Sequence, residues 1–486
     1  MNLMNLFDAS FIGRKDVEAL EFNNISYTFG EVNARSNRMA RLLKSRGLEK
    51  GDRLCVYLEN SVTFIELYIA AIKLGVIFVP VNILYKEREI THIYNDAEPK
   101  AFIANGPVPG VPIIWDVNEI ALEALSLPDE PILSSTNGDS PAAIVYTSGT
   151  TGASKGAVLT HNNFIANGLN LVTCWQFTDQ DRLLLALPLF HVHGLANGIH
   201  CWLMSGCKLR LQERFEHQKA AQWFADFKPT VFFGVPTVYV RLLDQPVAVS
   251  EVIGKNTRLF ISGSAPLPPQ VFADFKAKYN GHVILERYGM TETLMNVSNP
   301  YFGERRPGTI GFPLPGISVK IVSPEGKEVS VGEEGEVLIK GPNVFSGYWK
   351  REDATKDAFL NGYFKSGDMG EISKDGYITL KGRKSDLIIS GGFNIYPREI
   401  EEFLLEQSSI DEAAVVGMPH EMRGEVPVAF VVANHQFNET EIEQKLKDSF
   451  ASFKIPRKII QVEKLPRTAL GKVQKHVLLQ QEQAKL

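Results

Sequence analysis

Tyr146-Thr147-Ser148-Gly149-Thr150-Thr151-Gly152-Ala153-Ser154-Lys155-Gly156 is the stretch from which the rest of the chain is read. The apolar run Ala142–Val145 before it predicts a buried strand. Ala157–Leu159 after it predicts a second strand, with Thr160 placed to cap a following helix. Between the strands lie hydroxyls, glycines and one lysine. Glycine lets backbone N–H groups approach anionic oxygens, hydroxyls donate, and Lys155 adds a point charge, so the composition is that of a phosphate cradle. It departs from the common P-loop, because Lys155 is followed by Gly156 rather than by serine or threonine.

The whole chain sets the frame. Its 486 residues exceed one ordinary domain, and 44% hydrophobic content can fill large cores. A net charge of −5 argues against nucleic acid as the main partner. Cys55, Cys174, Cys201 and Cys207 are scattered without metal spacing, as suits a reduced compartment. The start carries Asp8 and no apolar signal core, and the apolar stretch Phe64–Val81 is broken by Glu66, Lys73, Gly75 and Pro80. The expectation is a cytoplasmic enzyme without a membrane span.

Along the chain, helix-like 31–46, strand-like 53–58, a helix over 61–74 stopped at Gly75 and a strand over 76–81 predict β-α units and a largely parallel sheet. Residues 100–140 read as an irregular surface connection. Leu185–Leu189 ends in His191, His193 and Gly194. Val231–Val235 is a strand closed by Pro236, and the next helix carries Tyr239 and Arg241. Leu259–Ile261 leads into Ser262-Gly263-Ser264-Ala265-Pro266, a small-residue turn that admits a flat ring. Val283–Leu285 delivers Glu286-Arg287-Tyr288-Gly289-Met290-Thr291-Glu292. Here Tyr288 can stack on a base, Thr291 can bond an α-phosphate, and Glu292 can hold Mg²⁺, since hard cations take oxygen ligands. Residues 300–380 predict a β-rich subdomain containing a strand at Gly335–Lys340, and Tyr363–Asp368 ends in an acid. After Gly382-Arg383-Lys384-Ser385-Asp386 come a short strand to Ser390, a bend at Gly391-Gly392, and a helix opening at Pro397 with its buried face at Ile400, Phe403 and Leu404. Leu465–Val473 sets Lys472 on a glycine-bearing loop, and fourteen residues follow it.

These motifs, in this order, resemble those of the adenylate-forming superfamily of acyl-CoA synthetases, luciferases and peptide-synthetase adenylation domains, and the resemblance spans the chain. It implies an α/β N-terminal region over residues 1–382, with mixed, mostly parallel sheets, and a small mobile α+β lid over 383–486. It implies ATP, Mg²⁺ and CoA as co-substrates and cofactor. ATP would be held by Thr147, Ser148, Gly149, Thr150, Thr151, Gly152 and Lys155, by the turn Gly263–Pro266, and by Glu286, Tyr288, Gly289, Met290 and Thr291. Asp368, placed on the ribose, and Arg383 complete that set. Lys472, Thr291 and Glu292 would be catalytic, with Glu292 and Thr147 at the metal. Ser385 would be the hinge, where the family usually has aspartate or lysine, and Gly391-Gly392 would line the CoA path.

The acid is read from Arg287. The branch of the family that acts on malonate is similar to this chain at Glu286-Arg287-Tyr288 and over residues 296–306. A second carboxylate held away from water needs cationic or polar donors, and Arg287, Arg241, His193 and Ser264 are the candidates. The expectation is an AMP-forming ligase for a small dicarboxylate, malonate first and methylmalonate second. A ligase for a medium-chain fatty or aromatic acid stays open. So do a stand-alone enzyme loading a separate carrier protein, although no carrier domain is expected here, and a non-catalytic relative.

Overall fold

A computed structural model of the chain describes residues 1–147, 154–390, 393–420, 423–435, 437–450, 452–468 and 471–484. Among these, two large sheets form the N-terminal region. The seven-stranded sheet runs Gly347–Tyr348, Lys155–Thr160, Pro141–Thr147, Ile77–Pro80, Arg53–Tyr57, Ala101–Ala104 and Trp115–Asp116. Its inner pairs are parallel, while Pro141–Thr147 and Lys155–Thr160 form an antiparallel hairpin around the glycine-rich loop. The nine-stranded sheet is parallel through its middle, from Glu18–Phe22 to Leu285–Met290, and gains antiparallel edges at Ile25–Thr28 and Leu294–Ser298.

Local chemistry explains the elements. Ser61 caps helix Val62–Leu74 by accepting from the Phe64 N–H, and Gly75 ends it in the left-handed conformation. That helix is buried on nearly every side, as its apolar composition requires. Thr160 and Asn163 form the reciprocal cap of helix His161–Cys174. One expectation is corrected. Within residues 100–140, Ala101–Ala104 is a fully buried inner strand and Asp116 caps helix Val117–Leu125, while residues 105–114 and 126–140 are irregular, as expected. The four-residue apolar run is too short to stand out beside the Pro- and Ser-rich residues that follow.

A third sheet, Ser318–Val322, Gly335–Lys340, Tyr363–Ile372 and Phe359–Leu360 with Ile378–Arg383 added, is the β-rich subdomain. The small C-terminal domain has a fourth sheet. Its long hairpin, Ile410–His420 with Gly424–Ala433, alternates two apolar faces. Val415, Ala429 and Val431 pack under helices Pro397–Leu405 and Glu439–Ser449, while Val416, Val428 and Phe430 pack with Leu465 and Leu478. Pro397 occupies the first turn of its helix. No helix among the described residues is long and apolar enough to cross a membrane.

Candidate active site

The carboxyl ends of parallel strands open into one cavity of about 830 Å³, the usual position for ligands in α/β sheets. Strand Ile77–Pro80 delivers Pro80, Pro141–Thr147 delivers Thr147, Leu259–Ser262 leads to Ser264, and Leu285–Met290 delivers Arg287, Gly289 and Met290. Thr291, Glu292, Lys155 and His193 complete the N-terminal wall. Arg383, Ser385 and Lys472 close it from the other side.

At the nucleotide end, Glu292 is buried, and its Oε1 accepts from the Tyr348 hydroxyl at 3.0 Å. Burial raises its pKa, opposed by that hydrogen bond. No group of three His, Cys, Asp or Glu gathers anywhere among the described residues. A cation at Glu292 would therefore take its other ligands from phosphates and water, as Mg²⁺ commonly does. The Thr147 hydroxyl donates to the Lys155 carbonyl at 3.4 Å. Ser148, Gly149, Thr150, Thr151 and Gly152 lie outside the described residues, as do Gly391 and Gly392.

Asp368 is buried beneath this region. Its Oδ1 pairs with Arg383 Nε at 2.9 Å, and its Oδ2 accepts from the Tyr288 hydroxyl. Burial raises the Asp368 pKa, and the Arg383 guanidinium opposes this. Tyr288 is thus 9% exposed and tied by its hydroxyl, and the face expected to stack on a base does not line the cavity. Lys472 stands open to the cavity on a turn in which the Thr468 N–H donates to the Lys472 carbonyl at 2.8 Å. Loss of bulk water lowers its pKa, Arg383 adds to this, and Asp368 opposes it. Ser385 sits in the short turn Lys384–Asp386, exposed, donating to Asp386 at 3.0 Å.

The other end of the cavity is cationic. Arg287 is 6% exposed and lines it, yet its Nε and Nη2 have no hydrogen-bond partner, and it forms no salt bridge among the described residues. Burial pushes its pKa down to about 9. Gly263 makes the room: a Cβ there would lie 2.3 Å from Arg287 Cζ. His193 Nδ1 and Ser264 Oγ share a hydrogen bond of 3.2 Å. Ser264 holds a left-handed φ of 72°, a conformation that serine seldom adopts. Burial, and then the nearby Arg287 charge, drive the His193 pKa well down, so its ring is neutral at pH 7.

Some expected residues are elsewhere. Arg241 does not join Arg287: its side chain is 63% exposed and faces Asp244 at 3.8 Å. The helix buries Val238, Tyr239 and Leu242, which turns position 241 outward, so its periodicity carried the answer. The Glu286 carboxylate accepts from the backbone N–H groups of Leu267 at 3.4 Å and Gly308 at 3.3 Å and does not line the cavity. Burial pushes its pKa up to about 7. Ala265 and Pro266 are exposed on the turn outside the cavity lining. Tyr348 and Asn197 are among the lining residues that went unread in the sequence. Tyr348 lies on a two-residue strand with no pattern of its own. Asn197 belongs to the π-helix His193–Ile199, where its Oδ1 accepts from Asn167 at 3.2 Å.

With this geometry in place, comparison with known proteins is informative. Residues 7–349 match the sequence model described as AMP-binding enzyme, and residues 399–472 match that of the AMP-binding enzyme C-terminal domain. The chain is 33% identical to the long-chain-fatty-acid–CoA ligase FadD13 of Mycobacterium tuberculosis, covering 95% of this chain and 94% of that one. It is 31% identical to the malonate–CoA ligase of Arabidopsis thaliana, covering 98% and 88%. Among solved structures it resembles ATP-bound MatB from Rhodopseudomonas palustris, with a TM-score of 0.92 and 39% identity over 99% of each chain.

Proposed function

The chain belongs to the AMP-binding enzyme family as an acid–CoA ligase acting through an adenylate, and we propose that its acid is a small dicarboxylate, malonate first and methylmalonate second. The observation that carries this reading is Arg287, a buried guanidinium that faces the cavity without a counter-charge. An unpaired buried charge is strongly unfavourable, and a second carboxylate would neutralise it. The apolar tail of a fatty acid could not. The likeness to a malonate–CoA ligase adds support, and the equal likeness to a fatty-acid ligase is why the pocket, and not the family, has to decide.

In the first proposed step, one carboxylate oxygen of the acid attacks the α-phosphorus of ATP, and the bond to pyrophosphate breaks. In the second, the CoA sulfur attacks the adenylate carbonyl, and AMP leaves with the bonding pair. Arg287 binds the distal carboxylate, with Ser264 and neutral His193 as further polar groups beside it. Thr291, Thr147 and Lys155 bind phosphate oxygens, and Asp368 with Arg383 serves the ribose. Glu292 would hold Mg²⁺, which when bound neutralises charge on the phosphates. Lys472 brings positive charge to the reacting carboxylate and α-phosphate. Pyrophosphate release measured with malonate, methylmalonate, butyrate, octanoate and benzoate tests the reading. Malonate should give the highest kcat/KM, and a lead by octanoate or benzoate refutes the dicarboxylate.

We further propose that residues 383–486 move as a lid about Ser385, with Gly391-Gly392 lining the CoA path after rotation. Ser385→Pro fixes φ at the hinge. It should leave adenylate formation nearly unchanged and slow thioester formation roughly tenfold or more, as expected when a gating motion is hindered. Single-turnover assays of the two half-reactions check this, and equal rates in both would move the hinge elsewhere.

A further inference from the structure

Tyr348 touches two charged groups at the nucleotide end of the cavity. Its hydroxyl donates to Glu292 Oε1 at 3.0 Å, and Lys155 Nζ stands 5.1 Å from its ring centroid. The segment holding it is fixed on two sides. Gly347–Tyr348 pairs antiparallel with Lys155–Thr160, placing Tyr348 opposite Ala157. The Ser346 N–H donates to the Val158 carbonyl at 3.0 Å, the Trp349 N–H to that of Gly156 at 2.8 Å, and the Phe345 N–H to that of Glu292 at 2.7 Å. Residues 345–349 therefore join the strand leaving the glycine-rich loop to the segment carrying Glu292. Beyond them, Trp349 Nε1 donates to the Asp96 carbonyl at 3.1 Å, and the Asp96 carboxylate accepts from Tyr146 at 2.7 Å and pairs with Arg351 at 2.7 Å. Tyr348 Oη and ring have fixed places in this frame. Gly347, at φ 141°, packs so closely on Thr355 that a Cβ would lie 2.8 Å from Thr355 Cγ2.

Lys155 and Glu292 carry opposite charge on one cavity wall, yet no salt bridge joins them among the described residues. We propose that Tyr348 is a positioning residue of the nucleotide site: its ring carries Lys155 and its hydroxyl holds Glu292, so that the two charges face the triphosphate instead of each other. This rests on the reading that Lys155 and Glu292 serve ATP. An ammonium on an aromatic face is attracted by the ring's negative quadrupole and keeps its donors free for phosphate. Without the ring, Lys155 would be free to turn toward the Glu292 carboxylate, whose charge it already feels, and ATP would have to break that pair in order to bind.

The test is ATP binding by titration calorimetry at stepped magnesium concentrations, in Tyr348→Phe, Tyr348→Leu, Lys155→Ala and Lys155→Ala/Tyr348→Leu. Tyr348→Phe keeps the ring and should hold ATP affinity at high magnesium, while the magnesium needed for half-maximal binding rises about threefold for the lost hydroxyl. At high magnesium, where loss of the hydroxyl is masked, Tyr348→Leu should weaken ATP about tenfold in the wild-type background and not at all beyond Lys155→Ala, because the ring acts through that lysine. The KM for the acid should not move in either single Tyr348 variant. Additive losses in the double variant at high magnesium, or a matching rise in the KM for the acid, would make Tyr348 a packing residue and overturn the proposal. Lys155→Ala binding ATP as wild type does would overturn the reading beneath it and the proposal together.

Discussion

Lys472→Ala is expected to lose acyl-adenylate formation by about 10²–10³-fold or more, the range for removing one preorganised charge from a reacting centre. The same variant should convert supplied acyl-adenylate and CoA to thioester at nearly the wild-type rate. The reason lies in how Lys472 is mounted. It stands on the turn of the C-terminal domain between Arg467 and Val473, which pair across it, and Arg467 is bonded to Glu412 of the same domain at 2.8 Å. The turn therefore travels with that domain. At Gly471 the turn faces Thr237 of the N-terminal region, where an added Cβ would meet Cγ2 at an ordinary contact distance of 3.7 Å. Lys472 reaches the cavity beside Arg383 and Asp368, where a carboxylate must approach a phosphate of like charge. Once the adenylate exists, that repulsion is over. Separate assays of pyrophosphate release and of thioester formation decide the matter, and equal losses in both would show that Lys472 serves the whole cycle.

Arg287→Met should remove the lead of malonate over butyrate by roughly 2–5 kcal/mol of transition-state binding, the range for leaving one member of a desolvated charge pair without its partner. Methionine is close in volume and unbranched, so the pocket keeps its packing and loses its charge. Butyrate should be used as well as before, or better, because the variant no longer buries a guanidinium that butyrate cannot satisfy. The measurement is kcat/KM for both acids in both proteins. Unchanged malonate selectivity would transfer the role to the other polar groups there, Ser264, His193 or Asn197.

The elements that could be read in advance are those whose signal is local. The hairpin around the glycine-rich loop, the Thr160 cap, the stop at Gly75 and the helix start at Pro397 each follow from residues within a turn of one another. The convergence of Glu292, Arg383 and Lys472 on one cavity was legible only because their motifs were met in a known order, since composition alone gives three ordinary surface residues. What stayed hidden depends on three-dimensional company. Tyr288 is held by Asp368, eighty residues away in sequence, and so lies buried outside the cavity lining. Glu286 lies within the buried start of strand Leu285–Met290, and its carboxylate is consumed by two backbone amides. Tyr348 gains its place from an edge strand of two residues, shorter than any periodicity can reveal.

The closeness of Gly263 to Arg287 ties two positions into one heritable unit. A lineage that enlarges residue 263 must displace the guanidinium from its present place, because the first added carbon would lie 2.3 Å from Cζ. Once the arginine is lost, that restraint disappears and the vacated volume invites a larger side chain. Glycine at 263 together with arginine at 287 therefore forms a two-letter signature to seek among similar chains, more telling than either letter alone. Redesign of this pocket for longer acids therefore has to treat positions 263 and 287 together.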